Sequence, residues 1–459
     1  AIEGLAPRQR ENPLIVLLTP GPFSETYFEQ SFLARQLGYP LVEGADLVVR
    51  DNKVYLKTTD GMQLVDVILR RLDSDYCDPL ELRDDSLLGV PGLIHAIRQG
   101  NVAVTNVPGS SILETPALLA FLPGICRNLL GEDLRIPSVA TWWCGQATER
   151  RYVLENLDKL MLKPTFRSPG FRHSVFGPSL TADQRDQLRR QIEASPEAWC
   201  AQEIVSQATA PVFESGRLQP RHFLLRCFMV LGADGHGYLM PGGLGRAVRT
   251  PDASDVETSE SKDVWVVGAP PAKETIAVEV TTRPNARRAG ENLPSRVADN
   301  LFWLGRYVER VEGQVRGLLV ILRALQESTS DDETAAMAPF IAGLVPNDTF
   351  AELAAAAATQ PPRKFIDAII ERLVWDLDNP SGLAANLGNV NRTTDTVKER
   401  ISGNTTQLLR SIPEWQSFLA SGDRLTPEEG LDNELLSLLD SLAAFSGMVS
   451  ENTTRGQDW

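Results

Sequence analysis

Histidine and cysteine are scarce in this 459-residue chain, four of one and five of the other. Cys77, Cys126, Cys144, Cys200 and Cys227 are odd in number, scattered, and form no C-x-x-C pair. A disulfide scaffold and a structural zinc site are therefore not expected, and a reducing cytoplasmic setting fits best. No stretch reaches the roughly 18 apolar residues that a bilayer-spanning helix needs. The opening AIEGLAPRQREN does not read as a secretory signal. Ala1 in first place, where a Met would open a natural chain, leads us to expect an internal portion of a longer protein. A basic excess is missing too: 45 Lys and Arg stand against 60 Asp and Glu, a formal net charge of -15. That balance argues against a general nucleic-acid binder and against adhesion to anionic membranes. It leaves room for a local basic pocket. What is present, 42% hydrophobic and 23% charged residues, is ordinary for a globular protein.

The first hundred residues alternate strand and helix. Leu14–Leu18 is a continuous apolar run, so it reads as a buried strand. It leads through Thr19-Pro20-Gly21-Pro22 to a helix over Ser24–Gly38, stopped by the glycine. Leu41-Val42 is a second strand. Leu47–Arg50 and Lys53–Lys57 form a hairpin about Asp51-Asn52. Val65–Leu69, a helix over Pro91–Gln99 and Val102–Thr105 complete an open parallel α/β layer. Ligands of such layers sit at the C-terminal strand ends, where Thr19–Gly21 and Arg70-Arg71-Leu72-Asp73 fall. The plain alternative is a turn and a solvated charge run that includes Asp75 and Asp78.

The next region centres on Lys159–Gly177. A short apolar strand, Leu160–Leu162, ends in Lys163 and runs into a loop with Arg167, Ser168, Gly170, Arg172 and His173. A lysine fixed by a strand, followed by a small, basic loop, is one way to hold a polyphosphate. A surface hairpin with an exposed lysine is the equal alternative on these residues alone. Downstream, Trp199–Val205 reads as a buried strand interrupted by Gln202-Glu203. Such a pair can offer its backbone to an adenine edge, or can mark an edge strand. Arg226, alternating with apolar neighbours in Arg221–Leu231, reads as a buried arginine in need of an anion. That run is expected to pair with Gly237–Pro241 across Ala233-Asp234-Gly235. Gly242-Gly243-Leu244-Gly245-Arg246 reads as a glycine turn ending in a second arginine. Ser261-Lys262-Asp263 precedes a final strand, Val264–Val267.

After a linker over residues 273–292 the chain turns helical. Leu301, Leu304, Val308, Val311, Val315, Leu318, Leu322 and Leu325 step by three and four, an apolar seam along one long helix. Further helices are expected near 337–344, 349–358, 363–377, 382–409, 412–419 and 432–451. Arg306, Glu309 and Arg310 lie off the seam and read as ordinary pairing on a solvated face, with a substrate-contact face as the alternative.

The ordered segments PSVATWWCGQATERRYVLENLDKLMLKP, AQEIV, PRHFLLRCF and MPGGLGRAV resemble the ATP-grasp ligases, and more closely their circularly permuted family. TPGPFSETYFEQSFLARQLGYPLVEGADLVVRD and DSLLGVPGLIHAIRQGNVAVTNVPG are similar to the segment ahead of that family's nucleotide core. The likeness spans about residues 12–268. DNLFWLGRYVERVEGQVRGLL, NPSGLAANLGNVNRTTDTVKERIS and GMVSENTTRGQDW resemble the alpha-E family of helical domains. The resemblance implies an α/β protein of ATP-grasp-type α+β build followed by an all-α bundle. Its parts are a pre-ATP-grasp-like layer (1–105), a permuted nucleotide-binding core (106–272), the linker (273–292) and a truncated alpha-E-like bundle (293–459).

It also implies ATP and Mg2+ as cofactors, and a ligase that joins a carboxylate to an amine through an acyl phosphate. By motif, Lys163 reaches the α/β phosphates, and Arg167, Ser168, Gly170 and Arg172 belong to the phosphate lid. Gln202, Glu203 and Val205 form the adenine hinge, and Gly242-Gly243 the glycine turn. Arg226 meets the transferred phosphoryl group, with Arg246 and Lys262 behind it. Small-molecule or peptide acids and amines are the expected partners, and the bundle is a surface for self-association or a partner protein. Three features depart from the pattern. The family's metal-ligand strand lies upstream of the TPGP segment, the lid has Gly170 as its single glycine, and Leu113-Glu114-Thr115-Pro116 stands where a lysine is common. They keep open a non-catalytic nucleotide-binding or scaffolding protein. A hydrolase using His173 or His222 is a further alternative, with no Ser or Cys partner in sight.

Overall fold

The computed structural model describes residues 2–7, 12–166, 174–231, 237–249, 260–268, 293–328, 330–336, 361–398, 400, 401, 405, 408, 409, 411–421 and 430–454. Contacts divide the chain into two compact units, residues 1–5 with 106–281 and residues 6–105 with 282–459.

The second of these units begins with the parallel layer. Strands β1 (Ile15–Leu18), β2 (Leu41–Val42), β3 (Leu47–Arg50), β4 (Lys53–Thr58), β5 (Gly61–Leu64), β6 (Val67–Arg70) and β7 (Ala103–Thr105) alternate with helices α1 (Tyr27–Leu37) and α2 (Leu93–Arg98). Four strands form a parallel sheet in the order β2-β1-β6-β7. β1 is buried along its length because neighbours flank it on both sides. β3, β4 and β5 form a separate antiparallel sheet, β5 being a strand the periodicity did not announce. The turn between β3 and β4 works because Asp51 and Asn52 both take positive φ, 48° and 60°. Asp78, read in the sequence as part of a solvated run, is fully buried. Its carboxylate accepts the backbone N–H of Leu80, Gly92 and Ile94 at 3.0, 3.1 and 2.9 Å and so orients the start of α2.

Residues 106–281 hold helices α3 (Leu118–Leu130), α4 (Ala147–Glu155) and α5 (Ala182–Ala194) and strands β8 (Thr141–Trp143), β9 (Leu160–Pro164), β10 (Val175–Phe176) and β11 (Trp199–Glu203). These strands form one antiparallel sheet in the order β10-β9-β11-β8. α5 starts on a capping box between Thr181 and Gln184 and buries Leu188 and Ile192, one turn apart. A second antiparallel sheet is ordered β12 (Thr209–Glu214), β13 (Arg217–Arg226), β16 (Gly243–Val248), β17 (Glu260–Val264). Between them β14 (Met229–Leu231) and β15 (Gly237–Leu239) make a two-stranded hairpin.

Two expectations change here. The run 221–231 is broken at Cys227-Phe228, so only 229–231 meets 237–239, while β13 pairs with β12 and β16. The final strand also falls earlier than expected, at Glu260–Val264.

The helical region, which packs in one unit with the parallel layer, contains α6 (Ser295–Glu327), α7 (Asp331–Ala336), α8 (Pro362–Ile370), a π turn (Glu371–Trp375), α9 (Leu383–Val397), α10 (Ser411–Ser421) and α11 (Leu431–Thr454). The seam of α6 is buried from Leu304 to Leu325, and α9 and α11 pack against it. The helices expected near 337–344 and 349–358 lie outside the described residues. Inside the bundle, buried Asn386 donates to Gln314 Oε1 at 3.1 Å and to the carbonyls of Ser381 and Gly382. Arg296, in the first turn of α6, forks onto both carboxylate oxygens of buried Asp46 at 2.9 Å and reaches Glu43 at 3.1 Å. This ties the bundle to the layer. Among the described residues no helix is long and apolar enough to cross a membrane.

Candidate functional site

The β8–β11 sheet has two unlike faces. Residues directly opposite across an antiparallel pair present their side chains to the same side. Leu160, Leu162, Trp199 and Ala201 therefore share one face, and they are buried in a core with Val153 of α4 and with Leu188 and Ile192 of α5. The other face carries two cross-strand rows. One is Thr141, Gln202, Met161, and the next is Trp143, Cys200, Lys163. Lys163 and Gln202 thus sit together on the face turned away from the helix-packed core. Glu203, one residue on, falls on the opposite face at the exposed strand end. Its backbone N–H donates to Ala140 O at 2.9 Å. Val205 lies beyond the strand and is exposed.

Burial shapes the chemistry of this face. Gln202 is 6% exposed, and its Nε2 donates to Thr141 Oγ1 at 3.2 Å. The Cys200 thiol is pushed up to about 12, first by burial, then by Cys144, with Lys163 pulling the other way. Cys144, pushed up to about 11 by burial, packs into the helix core. Neither thiol is poised as a nucleophile at neutral pH. Arg167, Ser168, Gly170, Arg172 and His173 lie outside the described residues.

The second sheet carries the arginines. Arg226 ends β13 and is exposed, where the alternation predicts a buried side chain. Burial fails because β13 has no apolar layer over its last residues, where Leu225 is exposed as well. Arg226 stands opposite Leu244, and Leu224 opposite Arg246. Both arginines therefore share a face. Lys262 stands opposite Gly245 and projects from the other face. The expected glycine turn is shorter than predicted. Only Gly242, with φ 113°, needs the left-handed region, and Gly243 already belongs to β16. Gly243 and Gly245 answer to close packing: a Cβ would fall 2.7 Å from Arg226 O and 2.4 Å from the Phe223 ring, respectively. The structure thus pairs Lys163 with Gln202 and Arg226 with Arg246, and sets Glu203 and Lys262 apart. His222 lies in the middle of β13, with no serine or cysteine hydrogen-bonded to it among the described residues.

Thr141 and Met161 complete the row that holds Gln202. Both belong to this face only through pairing with a strand far along the chain, so no local signal marks them. On α6, Arg306 pairs with Glu309 at 2.7 Å in solvent, and the Arg310 guanidinium lies 5.8 Å from the Tyr307 ring centre.

Comparison with known proteins supplies the family. Residues 1–248 match the circularly permuted ATP-grasp type 2 family, and residues 293–459 match Alpha-E, a predicted alpha-helical domain with a conserved ER motif. The Mycobacterium tuberculosis protein Rv2567 is 35% identical over 475 residues, covering 100% of this chain and 53% of the relative. The Synechocystis protein sll0335 is 38% identical over 266 residues, covering 57% of this chain and 55% of the relative. The chain thus spans about half the length of the curated relatives it matches. The solved structure of the ATP-grasp ligase PsnB with its minimal precursor aligns over 56% of this chain and 90% of PsnB, at 13% identity and a TM-score of 0.29. The chain belongs to the circularly permuted ATP-grasp type 2 family, with an Alpha-E helical region behind it.

Proposed function

We propose that the chain forms the ATP-binding part of a cytoplasmic carboxylate–amine ligase that works through an acyl phosphate. One observation carries the reading: Lys163 and buried Gln202 occupy neighbouring rows on the face of the β8–β11 sheet opposite its helix core. A nucleotide lying along that face meets Gln202 with its base and Lys163 with its phosphates. Glu203 and Val205 then serve the base and ribose from the strand end. Arg226 and Arg246, sharing a face of the second sheet, are suited to the charge that develops on the transferred phosphoryl group. Lys262 projects from the other face of that sheet.

In the reaction a carboxylate oxygen attacks the γ-phosphorus, and the bond to ADP breaks. The amine nitrogen then attacks the acyl carbon, the carbon–oxygen bond to phosphate breaks, and the departing phosphate takes the proton that the nitrogen gives up. Excluding water keeps the acyl phosphate from hydrolysis. The acid and amine are small-molecule or peptide substrates. Mg2+ accompanies the ATP in this reading. Among the described residues no group of three or more His, Cys, Asp or Glu converges to hold it.

The test is ATP consumption by the full-length protein with panels of acids and amines. Lys163→Ala is expected to lower ATP affinity and turnover together. Intact affinity and turnover in that variant would overturn the assignment. ATP binding without phosphate release when amines are added would leave the non-catalytic, nucleotide-binding reading.

A further inference from the structure

The Gln202 side chain is nearly enclosed, yet its amide is satisfied from one side only. Its Nε2 donates to Thr141 Oγ1 at 3.2 Å, and among the described residues no hydrogen bond reaches its Oε1. Thr141 decides which way that amide points. A hydroxyl has a single proton to donate, and Thr141 directs it to the Val139 carbonyl at 2.9 Å. The hydroxyl can then only accept from Gln202. The amide NH2 must face Thr141, and the carbonyl oxygen must face away from it. Met161, on the other side of Gln202 in the same row, offers no donor that could turn the amide round.

We propose that Thr141 is a positioning residue that sets the purine selectivity of this site, a reading that rests on the nucleotide assignment of Gln202 and Lys163. With its NH2 turned to Thr141, Gln202 has its carbonyl oxygen, on the side away from Thr141, left to offer the base as an acceptor. The exocyclic amine of adenine is a donor and pairs with it. The 6-oxo group of guanine is an acceptor and opposes it. The site therefore prefers ATP to GTP, and Thr141, which touches neither nucleotide, is the origin of the preference. Its place on an edge strand, one cross-strand neighbour away from Gln202, lets it act without entering the phosphate region.

The experiment is calorimetric titration of the full chain with Mg-ATP, Mg-GTP and the triphosphate of purine riboside, which lacks the exocyclic group. The wild-type chain is expected to prefer ATP over each by roughly threefold to tenfold, the range of one hydrogen bond. Thr141→Val, a β-branched isostere suited to the strand, should bring both ratios close to one, while Thr141→Ser retains them. Gln202→Leu should match Thr141→Val, and the double variant should add nothing further. A merely structural role would lower affinity for all three nucleotides and leave the ratios alone.

Unchanged ratios in Thr141→Val, or additive effects in the double variant, would overturn the proposal while the ATP assignment stood. Absence of ATP binding by the wild-type chain would remove both. Lys163→Ala separates the two readings, since it should weaken ATP and GTP alike and keep their ratio.

Discussion

The two four-stranded sheets described within residues 106–281 are held in place by different means. The β8–β11 sheet is clamped by a helix core on one face, so its register is set by burial. Sliding a strand by one residue would push Leu160 and Leu162 out of that core and Lys163 into it. The β12–β13–β16–β17 sheet has far less to bury. Val212, Ala247 and Val248 are enclosed, while Phe213 and Leu218, a cross-strand pair, are both 71% exposed. Its register rests on close packing at Gly243 and Gly245 and on Glu214, which accepts from both Arg221 and Arg249. A site residue on the first sheet is therefore fixed by packing, whereas one on the second is fixed mainly by strand pairing.

The largest test of this contrast is a pair of truncations. Leu162→Ala should cost about 2–5 kcal/mol of stability in chemical denaturation, because it empties a closed core. Leu244→Ala, half-buried on the second sheet, should cost about 1 kcal/mol. Equal losses would erase the difference between the sheets. Next in size, Arg226→Ala and Arg246→Ala should each lower turnover by roughly tenfold to a hundredfold, as loss of a charged hydrogen bond to the developing phosphoryl charge does, with a smaller change in ATP binding. Lys262→Ala should do much less. A Lys262 effect as large as that of Arg226 would place the nucleotide against both faces.

Alkaline pH probes the clamped sheet. A thiol in the unfolded chain ionises near 9.0, while folded Cys144 and Cys200 hold their protons up to about 11 and about 12 because they are buried. The folded state binds these protons more tightly. That stabilisation is full below pH 9.0 and is lost as the pH rises through about 11 and about 12. Urea midpoints should fall more steeply above pH 9.0 in the wild-type chain than in Cys200→Ala. The smallest effect concerns Glu214. Hydrogen bonding from Arg221, followed by the charge of Arg249, holds its carboxyl below the ordinary 4.5. Its contribution is present above that value and is lost as the pH falls through the lowered one. Glu214→Gln should lower the melting temperature slightly at neutral pH, and should remove that acid-side dependence.

Much of the architecture was legible because local rules and tertiary packing agreed. The apolar run of β1, the Asp51-Asn52 turn, the stop at Gly38 and the α6 seam each reflect a constraint within a few residues. The errors fall where long-range pairing overrode that local pattern. Arg226 alternates with apolar neighbours yet ends in solvent. Asp78 sits in a charged run yet is buried, because three backbone donors converge on it from two segments. Gly243 and Gly245 look like turn residues and are strand residues crowded by neighbours.

By itself the sequence determined the classes of structure, an α/β part followed by helices, and the family, because composition, period and motif order are properties of the chain in line. It also supplied Lys163 and Gln202 as separate candidates. Only the tertiary structure decided that these two share a face, that Glu203 and Lys262 fall on the faces opposite Gln202 and Arg226, and that Thr141 accepts a hydrogen bond from Gln202. The physical reason is strand register. Which side chains meet across an antiparallel pair depends on residues dozens of positions apart, and a shift of one residue sends every side chain to the other face.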